Sequence, residues 1–300
     1  MVKRKSSGDE KPLASKTKME IDGEDDDDDD TEDSGSILNV DFEWFDPQPA
    51  VDFHGLKTLL RQLFDVDNDL FDLSELADLV LAQPLLGSTV KCEGNESDPY
   101  AFLTVLNMQQ HRSKPVIQQL AKYLVERSEG QGKPGEELKA LLAEGSTAQV
   151  GLILCERLIN MPAQVVPPMY TMLIEEMQWA LQEKEPYNFT HYVFVSKNYT
   201  EVASKLDAED SQPQKKARKG GTEKEAVEVF YFHPEDEVWQ KFAMGGYNFE
   251  FVKAEDEGAS DARRTFQELG VKPQGSLLLM DAEKFEEAVK AVSEYVGGAS

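Results

Sequence analysis

The amino-acid sequence predicts a single α/β domain in which helices flank a mixed β-sheet. Short runs rich in β-branched and aromatic residues, typical of strands, alternate with amphipathic segments typical of helices. Hydrophobic residues make up 40% of the 300 positions, which is enough to build a core. No similarity recurs at a fixed period, so the pattern does not indicate a repeat protein. We expect residues 37–300 to form this domain and residues 1–36 to form a disordered acidic tail.

The first half of the domain is expected to begin with a strand and to continue with helices and two further strands. Val40, Phe42 and Trp44 alternate with other residues at strand period, and Pro47 ends this strand. The elements that follow are the helices "FHGLKTLLRQLF" and "LSELADLVLA", the strands "STVKCE" and "YAFLTVLNM", and the helices "PVIQQLAKYLVERSE" and "GEELKALLAEG".

The second half of the domain begins with an apolar strand from Val150, which ends in two charges. Pro167 and Pro168 then open a helix, because proline is favoured in a first helical turn. Residues 203–225 contain no aromatic residue, which predicts a flexible basic insertion at the edge of the sheet. The other expected elements are the strands "FTHYVFVSKNYTEV", "AVEVFYFH", "YNFEFVK" and "GSLLLMD", and the helices "EDEVWQKFA" and "AEKFEEAVKAVSEYV".

The chain is strongly acidic, with 31 basic and 57 acidic side chains and a formal net charge of -26. Nucleic-acid phosphates would be repelled, so we expect no direct nucleic-acid partner and instead a basic protein client. No apolar run approaches the length of a membrane span, so we expect no membrane insertion. Two cysteines and four scattered histidines supply neither a disulfide framework nor a zinc cluster.

The predicted tail, residues 1–36, contains 13 acidic and 6 basic residues, a net charge of -7 that leaves -19 on the rest of the chain. The tail is expected to act as an extended polyanion that shields a basic client before the client meets RNA. A tail that only improves solubility is the alternative. The acids assigned to the shielding role are Asp25, Asp26, Asp27, Asp28, Asp29, Asp30, Glu32 and Asp33.

A basic run lies inside the predicted insertion of this otherwise acidic chain. The segment "KKARK" would offer extended cationic side chains to acidic pockets of a nuclear import receptor. A solvated loop is the alternative. The predicted import signal consists of Lys215, Lys216, Arg218 and Lys219, and it predicts a nuclear location with possible shuttling to the cytoplasm.

Leucines in "LSELADLVL" have the spacing of a leucine-rich nuclear export signal. The same spacing is typical of the buried face of an ordinary helix. Both interpretations stay open for these four residues, which are Leu73, Leu76, Leu79 and Leu81.

The stretch "GLILCERLINMP", followed by "QVVPPMY", resembles the BCCIP family, whose fungal members are called Bcp. The strand "VDFEWFDP", the helix "FHGLKTLLRQLF" and the late "VFYFHPEDEVW" agree with this resemblance, which extends from Val40 to the C-terminal helix. The resemblance implies a fold similar to that of the GNAT acetyltransferases, with a mixed sheet flanked by helices.

In those enzymes the loop after the fourth strand binds the pyrophosphate of acetyl-CoA through backbone N–H groups at a helix N-terminus. Aligned with that loop, this chain has Arg157 at the first position, Asn160 at the first glycine and Pro162 at the last. Asn160 places a side chain where the backbone must approach phosphate, and Pro162 has no N–H to donate. We therefore expect a degenerate loop and no bound cofactor.

The resemblance implies a non-enzymatic nuclear protein that chaperones a basic large-subunit ribosomal protein and takes part in nuclear export and protein transport. The acidic surface would attract such a client at long range, while apolar anchors would supply affinity. The alternative is an acyl-CoA-dependent N-acyltransferase with an atypical cofactor loop. In that case Glu156, at the end of the central strand, would be the candidate base that takes a proton from the attacking amine.

Overall fold

The computed structural model describes residues 40–83, 86–201, 228–253 and 270–298. Three of the predicted segments lie outside these residues, namely the acidic tail 1–36, the insertion 203–225 and the basic run within it. The described part confirms the predicted fold class, because its strands form one mixed sheet with helices on both faces.

Eight strands of the described residues join this sheet, in the order β1-β2-β3-β4-β5-β8-β7, with β6 also paired to β5. Described neighbours are antiparallel, except that β4 and β5 run parallel. The strands are β1 (Glu43–Phe45), β2 (Ser88–Lys91), β3 (Ala101–Asn107), β4 (Val150–Arg157), β5 (His191–Glu201), β6 (Val229–Tyr231), β7 (Gly245–Phe249) and β8 (Val271–Asp281).

The helices agree with the amphipathic segments of the sequence. None of the helices in the described part combines the length and the apolar character that a bilayer crossing requires. The helices are α1 (Phe53–Phe64), α2 (Leu73–Leu81), α3 (Pro115–Ser128), α4 (Gly132–Leu141), α5 (Val166–Gln182), α6 (Asp236–Phe242) and α7 (Phe285–Gly297).

Two hydrophobic layers, one on each face of the sheet, form the core. Alternate residues of β4 show the division, because Leu152 and Leu154 pack with helices α1 to α4, whereas Ile153 packs with α5, α6 and α7. Strand β4 is buried on both faces, which explains why its sequence is a continuous apolar run rather than an alternating one.

The parallel strands β4 and β5 separate part of the way along their length. They are paired from Val150 opposite His191 to Leu154 opposite Val195. Beyond this point the same edge of β5 pairs with β6, whose Tyr231 lies opposite Asn198. The split between the two parallel strands is therefore occupied by β6 and by the segment that leads from it into α6.

Candidate functional site at the split between β4 and β5

The loop after β4 does not bring its three predicted cofactor-loop residues together. Arg157 is buried at the end of β4, Asn160 is exposed, and Pro162 is half-buried before a short 3-10 helix, Ala163–Val165. The α5 helix begins at Val166 and has proline in its first turn, as the sequence predicted. The three side chains thus form no common site.

Glu156 lies in the split and is fully buried, with 0% of its surface exposed. Its Oε2 atom is 2.8 Å from Lys197 Nζ, and its Oε1 atom is 2.9 Å from His233 Nε2. Burial alone would raise the pKa of Glu156, but the charges of Lys197 and His233 outweigh burial and lower the pKa to about 2. This carboxylate is therefore held as an anion by two cationic side chains. The role of candidate base, which belongs to the acyltransferase alternative, stays a prediction from the sequence.

Arg157 pairs with Glu235, which comes from a distant part of the chain. The guanidinium donates to both oxygens of Glu235, with Nη1–Oε1 and Nη2–Oε2 distances of 2.5 and 3.1 Å. Burial alone would lower the pKa of Arg157, but the charge of Glu235 raises it above its usual value. A buried guanidinium needs such a partner, because an unpaired buried charge is very costly.

A small cavity of about 10 Å³ lies beside these ion pairs, with Cys155, Tyr170 and Trp239 in its lining. Asp236 also lines it and accepts a hydrogen bond from the Ser196 hydroxyl. Burial raises the pKa of Asp236 to about 7 and raises the pKa of the Cys155 thiol above its usual range. The cavity has room for about one water molecule and none for an acyl-CoA, and the thiol is held protonated.

One segment supplies most of the partners in the split. His233 and Glu235 come from the link between β6 and α6, and Asp236 is the first residue of α6. Lys197 comes from the part of β5 beyond the split. Lys197 also donates to the carbonyl of Gln62 in α1, at 2.7 Å, and its Nζ atom lies 5.8 Å from the centre of the Phe232 ring. The arrangement can hold the strands apart and fix β6 in place, and its charges are paired with one another.

Sequence reasoning missed His233, Glu235, Asp236 and Lys197. The sequence around them did not indicate buried charges. The segment "HPEDE" is typical of an exposed helix start, and a lysine within a strand is often solvated. The two charges that end the buried run of β4 were the stronger clue, because buried charges require partners from elsewhere in the chain. Among the described residues, no group of His, Cys, Asp and Glu is arranged to hold a metal ion.

The leucines with export-signal spacing form the buried face of α2. At most 8% of each side chain is exposed, and they pack in the hydrophobic layer shared by α1 and α3. In the folded chain they are core residues and are not presented to a receptor. These residues are Leu73, Leu76, Leu79 and Leu81.

The predicted import signal and the predicted client-shielding acids lie outside the described residues. They therefore stay predictions from the sequence. The residues concerned are Lys215, Lys216, Arg218, Lys219, Asp25, Asp26, Asp27, Asp28, Asp29, Asp30, Glu32 and Asp33.

Comparison with known proteins agrees with this fold and with the quoted segments. The family model BCCIP matches residues 37–239. The chain is 61% identical to Protein bcp1 of Aspergillus fumigatus over 87% of this chain and 88% of that protein, and 56% identical to Protein bcp1 of Aspergillus oryzae over 99% of both. The crystal structure of BCP1 from Saccharomyces cerevisiae is similar, with a TM-score of 0.60 and 27% identity over 91% of this chain and 97% of that one. The chain therefore belongs to the BCCIP family.

Proposed function

We propose that this protein is a non-enzymatic nuclear escort that binds a basic client, a large-subunit ribosomal protein, and takes part in its nuclear export and transport. The observation that carries the proposal is the acidity of the predicted domain. Residues 37–300 keep a net charge of -19 after the -7 of residues 1–36 is subtracted from -26. A field of this sign attracts a basic protein and repels nucleic acid.

The described ion pairs leave the net charge of the surface unchanged, because each of them buries one base together with one acid. Three basic side chains, Lys91, Arg157 and Lys197, are buried against carboxylates and offer little positive charge to solvent. The three partner carboxylates are buried with them, so the acidity of the remaining surface comes from the excess of acids in the composition. A client held in this field would have its own basic surface neutralised before it reached RNA.

The closed split supports a binding role over acyl transfer. The space where β4 and β5 separate is filled by β6 and by the ion pairs of Glu156 and Arg157, and the remaining cavity is about 10 Å³. Nuclear location is part of the proposal and is supported by the basic run at residues 215–219.

Affinity purification of the tagged full chain from nuclear extract, washed at moderate salt, tests the proposed function. We expect one stoichiometric basic ribosomal protein, free of RNA and of other ribosomal components, identified by mass. Recovery of no basic partner would contradict the proposal. A rise in melting temperature with millimolar acetyl-CoA would favour the acyltransferase instead, and we expect no such rise.

A further inference from the structure

Ile159, in the loop between β4 and α5, is 78% exposed, the highest value among the exposed large hydrophobic side chains of the described residues. Single exposed apolar residues are common at protein surfaces, so the exposure of Ile159 gains its meaning from the segments around it. We infer that Ile159 is the apolar anchor of the client surface, and that it receives a basic protein segment in which an apolar side chain is flanked by lysine or arginine. This inference rests on the proposed function and gives it a location.

The backbone on either side of Ile159 is fixed to the core. Leu158 donates its N–H to the carbonyl of Tyr100 at 2.9 Å and packs against both hydrophobic layers. Met161 is 8% exposed and donates its N–H to the carbonyl of Leu158 at 2.9 Å. Because the loop is held at both sides, binding at Ile159 would order little additional chain, which favours affinity.

The antiparallel strands place other chain segments at this same end of the sheet. Arg157 in β4 lies opposite Ala101 in β3, Ala101 lies opposite Val90 in β2, and Val90 lies opposite Trp44 in β1. With about 4.8 Å between neighbouring strands, the loop of Ile159 and the start of β1 are about 15 Å apart. The turn between β2 and β3 lies between them.

These neighbouring segments are acidic and exposed. The acids are supplied by the start of β1 and by the turn from residue 93 to residue 98, where no lysine or arginine occurs. The bases that flank these segments in sequence, Lys91 and Arg157, are buried in ion pairs with Asp52 and Glu235. An exposed base close to this end is Arg61 of α1, whose neighbour Gln62 donates to the carbonyl of Arg157. The exposed acids of this end are Asp41, Glu93, Glu96 and Asp98.

The surface thus combines a fixed apolar contact with negative charge that has no exposed base among these segments. Such a combination is complementary to a cationic segment that carries an apolar residue, and it disfavours an acidic or purely apolar partner. Val40, which is 44% exposed, begins the described chain at this end and follows the acidic run of residues 25–33 in sequence. The occupant that fits is therefore a basic protein.

The test uses basic proteins extracted from large ribosomal subunits with concentrated salt, dialysed to moderate salt, and captured on the immobilised full chain. The substituted chains are Ile159→Ser and the pair Glu96→Lys with Asp98→Lys. Leu181→Ser is the matched apolar control, since Leu181 is 41% exposed and lies about 20 Å further along α5. Glu129→Lys with Glu136→Lys is the matched charge control, on exposed positions beside and within α4.

We expect both test chains to bind the captured protein about tenfold more weakly, and both controls to bind it as the unsubstituted chain does. If the unsubstituted chain binds a basic protein and the test chains bind it equally well, the location is wrong and the proposed function stands. If the unsubstituted chain captures no basic protein, both are wrong. Equal losses in test and control chains would also contradict the location, and melting temperatures confirm that every chain is folded.

Discussion

Arg157 and Glu235 form a bidentate ion pair that connects the end of β4 to the segment before α6, 78 positions later in the chain. The first residue of the degenerate cofactor loop is thus fully engaged by a carboxylate of its own chain. A phosphate group could reach the Arg157 guanidinium only by displacing Glu235, and the displaced carboxylate would then be buried without a partner.

Replacing Arg157 with Met is expected to lower the free energy of unfolding by about 3–5 kcal/mol, because Glu235 is left charged and buried. The double change Arg157→Met with Glu235→Leu should recover most of this loss, because no charge is then unpaired. Urea unfolding of both chains measures the difference. Lys241→Met is the control, since the Lys241–Glu237 pair is exposed and should cost less than about 1 kcal/mol. If the single and double variants lose the same free energy of unfolding, the unpaired charge of Glu235 is not the cause of the loss.

His233 should titrate above its ordinary value of 6.5, because the charge of Glu156 outweighs the effect of burial and raises its pKa. The stabilisation that this pair gives is complete below pH 6.5 and is lost as the pH rises through the folded pKa of His233. An NMR titration of the four histidines, with His233→Asn to assign the resonance, measures that pKa. Glu156→Gln should lower the pKa of His233. An unchanged pKa would show that the ion pair with Glu156 does not raise it.

Glu176 should make the folded chain less stable as the pH rises. Burial, with the charges of Asp46 and Glu175, raises its pKa to about 7, and the N–H of Gly87 only partly opposes this. The folded state therefore keeps a proton that the unfolded state releases near pH 4.5. The free energy of unfolding falls as the pH rises from 4.5 to about 7. Glu176→Gln should add ~1–3 kcal/mol at pH 8 and nothing at pH 4.

Chemical unfolding at the two pH values tests this dependence. The control is Glu175→Gln, at the exposed neighbouring position, which should change stability by less than about 0.5 kcal/mol. A Glu176→Gln chain that is no more stable than the unsubstituted chain at pH 8 would show that the buried carboxyl is not the destabilising group.

Removal of the basic run should move a fluorescent fusion of the full chain from the nucleus toward the cytoplasm. The change is alanine at Lys215, Lys216, Arg218 and Lys219 together, and the melting temperature should not fall. The control replaces Lys3, Arg4 and Lys5, the other basic run. If the fusion stays nuclear after the first change but moves to the cytoplasm after the second, the assignment of import to residues 215–219 is wrong.

Deletion of residues 1–36 should slow association with the client chiefly at low salt, because screening shortens the reach of charge from about 30 Å at 0.01 M to about 3 Å at 1 M. Stopped-flow mixing with the captured client at several salt concentrations measures the rate. Replacing Asp25–Asp30 with asparagine separates charge from length. A deleted chain with an unchanged rate would mean that the tail serves solubility alone.

Local patterns in the sequence were sufficient for most of the fold. The continuous apolar run of β4, the proline-opened α5 and the amphipathic α1 each have a period or a residue type that selects one secondary structure. The first strand shows the limit, since alternation of Val40, Phe42 and Trp44 predicted a longer strand than the observed Glu43–Phe45. Its length is set by pairing with β2, and pairing is not visible in a local pattern.

The site was less predictable, because its residues meet only after the chain has folded. Glu156 and His233 are 77 positions apart, and neither has a neighbour in sequence that indicates the other. The resemblance directed attention to Arg157, Asn160 and Pro162, but only the first of these enters the split. Ile159 was overlooked, since exposure of one aliphatic residue in a loop has no sequence signal of its own.

The long strand β5 has a consequence for how the protein is made. All eleven residues of β5 pair with β8, and His191 lies opposite Asp281, 90 positions later in the chain. Until β8 has left the ribosome, a nascent chain would present β5 with an open edge along its length, and open apolar edges associate readily. Pairings this distant in sequence also form slowly. A protein with this strand order thus passes through synthesis in an aggregation-prone form, and its own yield should depend on holdase chaperones at the ribosomal exit.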